Sequence, residues 1–426
     1  MNIIESRNGK LQGIQMDGYT LYKGIPFAKA PVGKLRFEAP EPLDYWEGIK
    51  DCTKWPNKAM QFDFEDPNEF YYGEFYFNEE YNVEKSEDCL YLNLWLPDNA
   101  KNCPIAMYIH GGAFDHGYAS EMEFDGEAFT KKGIILASIQ YRVGVFGFLA
   151  HPSLSKTSGN NGILDQIMAL NWLYDNASCF GGNPENITVF GQSAGCMSTH
   201  TLCATELTEN KISKAILQSA SGYKGGLCSD YPLEEAYKVG EYYFHLLGIS
   251  SKEELKSLDS ETLFKTQLQM QAELAQQGNG LPFHPVIDGI VLKDGYNALL
   301  EQGKLKRIPY MLGSVEDEID KMPPFQSEHP CEEGVINWSL KLEEIWNEPS
   351  FVYYFKHRFK PDNFGAYHSS ELWYMFSTYK RSQRPYDESD EKLAEEMVSA
   401  WTDFMKTGNP GWKPCDQKNR FVKEFE

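Results

Sequence analysis

The sequence predicts an α/β fold built around a mostly parallel central sheet. β-type runs alternate with helical ones along most of the chain, and several of those β-runs are apolar throughout. Alternation of this kind argues for strands joined by crossover helices. Continuously apolar strands argue that both faces of the sheet are covered. A third feature is local: the run NITV (186–189) leads straight into FGQSAGCMS, where two glycines flank a serine.

Taken in order, the first 30 residues read as a small antiparallel hairpin. CLYLNLWLP (89–97) and CPIAMYIHGG (103–112) are apolar strand candidates, the second ending on paired glycines. GIILASIQYR (133–142) opens the most apolar stretch of the chain. Gln140, Arg142 and three glycines make that stretch, to Ala150, a buried strand with its exit rather than a membrane span. GILDQIMALNWLYDNASCF (162–180) has helical spacing, NITVFGQS (186–193) and KAILQSA (214–220) read as strands, and LEEAYKVGEYYFHLLG (233–248) as a helix closed by glycine. IPYMLGS (308–314) is a further strand. The last long helix is expected over 387–408, where a glycine followed by Asn-Pro stops it.

Large α/β enzymes reach 426 residues around one sheet, and a hydrophobic content of 42% is enough for a sizeable core. No internal repeat, low-complexity tract or Pro- or Ser-rich linker divides the chain, so residues 1–426 are expected to form a single domain. The net charge of −22 argues against a nucleic-acid partner, because no Lys/Arg cluster is available to neutralise phosphates. An acidic surface keeps a protein soluble, and it also attracts cationic substrates. The N-terminus, MNIIESRNGKLQGI, has no basic stretch followed by an apolar one, so no signal peptide is read. Nine cysteines, an odd number without a CxxC pair, fit free thiols in a reducing compartment. Cytoplasmic location without a membrane partner is the expectation, and the sequon Asn186-Ile187-Thr188 is then idle.

Gly191-Gln192-Ser193-Ala194-Gly195 is a G-x-S-x-G pattern between a strand and a helix start. This spacing suits a nucleophile elbow: a strained turn lifts the serine hydroxyl above the sheet, and the glycines let strand and helix approach closely. The Ala194 N–H then points toward a developing oxyanion. YIHGGAF (108–114) supplies a second donor set, since only a backbone free of bulky side chains can aim adjacent N–H groups at one oxygen. Gly112 and Ala113 are the expected donors, with Gly111 freeing the turn.

A serine nucleophile needs a base, and the base an orienting acid. Nine histidines compete. His110 and His116 belong to the glycine loop, and His200 follows the elbow. His368, in GAYHSSELWYMF, lies late in the chain and suits the order serine, acid, histidine of α/β-hydrolases. MLGSVEDEID then offers Glu316, Asp317, Glu318 and Asp320 as acids, and composition does not choose among them.

With these motifs in place the chain resembles the type-B carboxylesterases, the family of cholinesterases and bacterial para-nitrobenzyl esterases. The likeness runs through LYKGIPFAKAPVGKLRFEAPEP, SEDCLYLNLWLP, HGGAF, QYRVGVFGFL, GILDQIMALNWL, FGGNPENITVFGQSAG, FHPVIDG, GSVEDE and WTDFMKTGNP, nearly the whole chain. The resemblance implies an α/β-hydrolase fold with Ser193 as nucleophile, Glu318 as acid, His368 as base, and Gly112, Ala113 and Ala194 as oxyanion donors. It further implies Ser219 and Glu371 beside the triad, with structural ion pairs Arg36–Glu87 and Arg142–Asp165.

Three departures from the family pattern stand out. Gln192 occupies a position that is often Glu. PNKAMQ puts Ala59 where the cysteine partner of Cys89 normally sits, and Cys52 is off that register, so the loop disulfide is expected to be absent. The 319–367 segment is short, so the helical cap is expected to be reduced, with KMPPFQSEHP or a neighbouring subunit as the alternative filler.

The functional expectation is a serine carboxylic-ester hydrolase with an acyl-enzyme intermediate. Its partners would be a small-molecule ester and water, with no metal and no cofactor. An inactive adhesion protein on the same fold is the alternative; such proteins usually lose parts of the triad, and this chain keeps every one. Substrate contacts are expected near Phe114, in Gly280 to Phe283 (Leu281 and Phe283 above all), and around Trp373 to Phe376.

Overall fold

The computed structural model describes residues 2–279, 281–321, 326–359 and 364–426. The N-terminal segment forms β1 (Asn2–Ser6), β2 (Gly9–Gln15) and β3 (Tyr19–Pro26), an antiparallel meander one strand longer than a hairpin, and β4 (Ile49–Asp51) pairs beside β2. The remaining strands are β5 (Tyr91–Pro97), β6 (Cys103–Ile109), β7 (Ile135–Ile139), β8 (Gly182–Gln192), β9 (Lys214–Gln218), β10 (Tyr310–Val315), β11 (Phe351–Phe355) and β12 (Lys423–Phe425). They join one 12-stranded sheet in the order β1-β2-β3-β5-β7-β6-β8-β9-β10-β11-β12. From β7 to β12 every pairing is parallel.

The apolar runs are buried on both faces, and the period-two alternation of the backbone sorts their side chains. Ile105, Met107 and Ile109 of β6 join one core cluster, while Ala106 and Tyr108 join the other. β9 divides the same way, with Ala215 and Leu217 opposite Ile216. Helices Asn161–Asn176 and Leu233–Leu247 contribute to the first cluster. Helix Glu388–Thr407 packs Leu393, Met397, Trp401 and Phe404 into the second. Its start is a capping box from Asp387 and Asp390, and Gly408 ends it at φ 78°.

The six strands expected from 89 onward are present with shifted ends. β4, β11 and β12 were not anticipated; β4 and β12 are three residues each, too short for a periodic signal. The short segment after Glu318 still holds a helix, Cys331–Trp346, and β11. Residues 322–325, within the expected filler, lie outside the described residues.

Both ion pairs implied by the resemblance form. Arg36 Nε donates to Glu87 Oε2 at 2.6 Å. Arg142 is held bidentately by Asp165, through Nε at 2.8 Å and Nη2 at 2.7 Å, and its own amide also donates to Asp165. Burial pushes the Asp165 carboxyl up, and Arg142 opposes that. All nine cysteines are free, and Cys89 is buried near Ala59, also buried.

Removing one member of a buried pair leaves the other charge without compensation. Asp165→Asn is therefore expected to cost about 3–5 kcal/mol in guanidinium unfolding, because Arg142 stays buried. Cys89 should resist alkylation in the native protein and be modified quantitatively under denaturing, non-reducing conditions.

Candidate active site

Ser193 sits at the junction of β8 and the helix Ala194–Ala204, with φ 57° and ψ −125°. That backbone conformation is costly for a non-glycine residue and persists only where the surroundings over-determine it. Two glycines provide the crowding: a Cβ on Gly191 would stand 2.4 Å from the Gly195 carbonyl oxygen, and one on Gly195 2.0 Å from that of Ile109. The Ser193 amide donates to the Gln218 carbonyl at 2.9 Å, tying the elbow to β9.

The loop after β6 runs alongside. Gly112 has φ 98°, and a Cβ there would meet the His116 carbonyl oxygen at 2.2 Å. Ala113 and Phe114 also have positive φ. The loop is clamped by Gln61, whose side chain accepts from the Gly117 amide at 2.8 Å and donates to its carbonyl at 3.0 Å. Among the described residues no protein acceptor takes the amides of Gly112, Ala113 or Ala194.

β10 ends at Val315, and an isolated parallel bridge pairs Asp317 with Tyr367. That register sets the next residues, Glu318 and His368, side by side. Glu318 Oε1 accepts a short hydrogen bond from His368 Nδ1 and another from the Ile319 amide at 3.0 Å. The other three acids are engaged elsewhere. Glu316 pairs with Arg358, Asp317 accepts from the Ala366 amide at 2.9 Å, and Asp320 accepts from the Cys331 amide at 2.5 Å. Burial alone would lower the His368 imidazole, but the Glu318 carboxylate outweighs it and holds the ring above its ordinary 6.5.

On the other nitrogen, His368 Nε2 lies 3.2 Å from Gln192 Nε2. Ser369 donates to Gln192 Oε1 at 3.1 Å, which turns the amide N–H₂ toward the ring. No hydrogen bond joins Ser193 Oγ to His368 among the described residues; catalytic hydrogen bonds are often long before substrate binds. Ser219 donates to Glu371 Oε1 at 3.3 Å. Glu371 is fully buried, and burial and the nearby Glu318 push its carboxyl up to about 7.

Ser193, His368, Gln192 and the glycine loop open on one cavity of about 890 Å³. Phe114 and Leu281 line it, but Phe283 and Trp373 do not. Phe283 is buried in the core, and Trp373 stacks on Phe75 with centroids 5.4 Å apart. Its helical neighbour Leu372 faces the cavity instead, since successive helical residues are rotated by about 100°. Gly280 lies outside the described residues. Sequence reasoning passed over Phe64, Tyr71, Phe75 and Tyr76, which also form the wall, although the aromatic run FDFEDPNEFYYGEFYF was visible. It passed over Glu121 and Glu123 as well. His200 is buried with both ring nitrogens unpartnered and is pushed down to about 3 by burial.

A family model described as the carboxylesterase family matches residues 1–338 and 325–424. The chain belongs to the carboxylesterase family. It is 32% identical to the para-nitrobenzyl esterase of Bacillus subtilis (strain 168), over 96% of this chain and 90% of that one. Its identity to the cholinesterase of Mus musculus is 28%, over 96% and 79% of the two chains. A solved PNB esterase matches with a TM-score of 0.84 at 28% identity, covering 100% of this chain and 96% of its own. As a carboxylesterase the protein is a hydrolase of carboxylic esters. Among the described residues, no helix is long and apolar enough to cross a membrane, and no group of His, Cys, Asp and Glu could hold a metal ion.

Glu371 generates a pH prediction. Its folded-state value, about 7, lies above the ordinary 4.5, so between these limits the folded chain keeps a proton that the unfolded chain releases. Stability therefore falls as pH rises through that window. Glu371→Gln should remove this contribution. Its melting temperature is expected to gain on the parent's from about pH 4.5 to 7, with no gain below 4.5.

Proposed function

We propose that this carboxylesterase hydrolyses esters with Ser193 as nucleophile, His368 as general base and Glu318 as the acid that orients the imidazole. The supporting observation is the short Glu318–His368 hydrogen bond, in the cavity that also holds the strained Ser193 elbow. With Nδ1–H donated to Glu318, Nε2 carries the lone pair that takes the serine proton. An entering ester displaces the Gln192 amide from that lone pair as Ser193 Oγ attacks the carbonyl carbon. The three unengaged amides, Gly112, Ala113 and Ala194, bind the oxygen that becomes negative. The imidazolium gives its proton to the departing alkoxide, the acyl-serine forms, and water activated by His368 releases the acid.

A fluorophosphonate probe should attach once, at Ser193. Ser193→Ala should abolish labelling and lower kcat by roughly 10⁴-fold or more, because triad members act as a unit. Glu318→Gln should be crippling and Glu316→Gln mild; the reverse would refute the assignment of the acid. Because the base must be neutral and its titration is raised, kcat/KM should fall on acidification at a pH above the 6.5 of an ordinary imidazole.

The segment after Glu318 supports a proposal about reach. Of its described residues before the next helix, Ile319, Gln326 and Ser327 line the cavity, a modest share of the wall. Short acyl groups and bulky aromatic esters should outrun long chains, which lose ordering entropy without close walls to contact. Among acetyl, butyryl, dodecanoyl and aromatic acyl esters of one alcohol, a preference for dodecanoyl over acetyl and butyryl would overturn this.

A further inference from the structure

The loop that presents His368 is held under strain. Ser369, the next residue, has φ 77°, and Gly365 before it has φ 71°. A non-glycine residue keeps such a backbone only where its surroundings over-determine it. Contacts from outside the loop supply that restraint. Asp317 grips Ala366 on both sides, its amide donating to the carbonyl at 3.0 Å and its side chain accepting from the amide at 2.9 Å. Ser369 donates to Gln192 at 3.1 Å. A further contact holds Tyr367, the residue before the imidazole: its hydroxyl donates to Glu74 Oε2 at 2.6 Å.

Glu74 reaches this loop from 293 residues earlier in the chain. It stands on a short π-helix, Tyr72–Tyr76, in the aromatic stretch whose Tyr71, Phe75 and Tyr76 line the cavity. Its carboxylate is fixed independently of Tyr367. Arg384 donates to it through Nε at 2.9 Å to Oε2 and through Nη2 at 2.7 Å to Oε1, and the two side chains are only about a tenth exposed. A two-point guanidinium–carboxylate pair of this kind fixes orientation as well as charge. The Tyr367 ring is held too: Phe70 packs edge-on at 5.0 Å between centroids, and the Arg384 guanidinium lies 5.3 Å from its centre. Buried ion pairs are weak devices for stability, since apolar residues of similar volume often serve as well. What this pair supplies that apolar packing does not is an acceptor fixed in place for the Tyr367 hydroxyl.

We propose that Glu74 is a positioning residue for ester hydrolysis, fixing the His368 loop through the Tyr367 hydroxyl so that the imidazole meets Glu318. The inference rests on the reading of His368 as the base. Asp317 restrains the loop from the side of the acid, and Glu74 restrains it from the side of the cavity wall. With the second restraint removed, the strained turn at Ser369 relaxes and the imidazole shifts relative to Glu318 and Ser193. A shift of about 1 Å at a reacting group is enough to cost up to 10²-fold in rate. The same short helix presents Phe75 and Tyr76 to the cavity and Glu74 to Tyr367, so wall and base are held in one register.

The test uses Tyr367→Phe, which removes the hydroxyl but keeps the ring and the Glu74–Arg384 pair, together with Glu74→Ala and Glu74→Gln. With para-nitrophenyl acetate, Tyr367→Phe and Glu74→Ala should each lower kcat about tenfold or more and leave KM within about twofold, because a misplaced base weakens the transition state rather than substrate binding. Glu74→Gln keeps an oxygen that accepts from the hydroxyl, so it should recover most of the kcat lost in Glu74→Ala. A direct readout is the proton of the His368–Glu318 hydrogen bond, which resonates far downfield in the NMR spectrum. That signal should be present in the parent and broadened or lost in Tyr367→Phe. If the Glu74 variants fail to fold, Tyr367→Phe decides alone. A lowered melting temperature in Tyr367→Phe with kcat and the downfield proton unchanged would mean a merely stabilising contact and overturn the proposal. A parent that does not hydrolyse para-nitrophenyl acetate would instead remove the ester-hydrolase reading, and the proton signal would still decide whether Glu74 positions His368.

Discussion

The site depends on one close backbone crossing, where the elbow passes over the end of β6. β6 and β8 are neighbours in the sheet, with Ile109 opposite Gly191, so the chain leaves both strands at the same height. The turn then has no room for a side chain at Gly195 against the Ile109 carbonyl. Because that contact is tight, Ser193 is forced to positive φ and its hydroxyl stands clear of the sheet. The same contact brings the glycine loop in: a Cβ on Gly111 would lie 3.1 Å from Ser193 Cβ. Candidate nucleophile and candidate oxyanion donors are thus products of one packing constraint, and other positive-φ residues nearby, Ala113, Phe114 and Ser219, show how far the strain spreads.

The candidate base, His368, arrives by a different route. It lies on no strand of the sheet; the Asp317–Tyr367 bridge and the Asp317 side chain hold its loop to the segment after β10. Position along that two-residue pairing, rather than any preference of the side chains, puts Glu318 against His368 and leaves Glu316 facing Arg358. Gln192 then matters more than its place beside the nucleophile implied. An amide donates to the Nε2 lone pair, whereas a carboxylate there could only accept, and would favour the protonated ring.

Four buried acids surround one cavity or its floor, each stabilised differently. Glu318 is paired with an imidazole, burial pushes Glu371 toward neutrality, and burial likewise pushes the Glu121 and Glu123 carboxyls up. Burial penalises the charged form of every one, so each either finds a donor or keeps its proton. In this way the overall acidity of the chain has a local counterpart inside it.

Sequence by itself determined what depends on neighbours along the chain: the alternation of strands and helices, the elbow, the glycine loop and the helix ends. Glycines at 191, 195 and 112 are legible because their conformational demand is local. Strand candidates were legible because burial on both faces leaves an unbroken apolar run. The choice of Glu318 among four acids came from family resemblance, and no local pattern could have made it. Only the tertiary structure decided the strand order, the three short or late strands, the contact of Gln192 with His368, and which aromatics face the cavity. Trp373 and Leu372 are adjacent in sequence and equally apolar, yet one enters the core and the other the cavity wall. Glu121 and Glu123 carry no motif, and their common burial at the cavity wall exists only in the folded chain. Local conformation is encoded in a few consecutive residues, whereas burial and partnership are set by elements far apart in the chain, and so appear only once those elements pack.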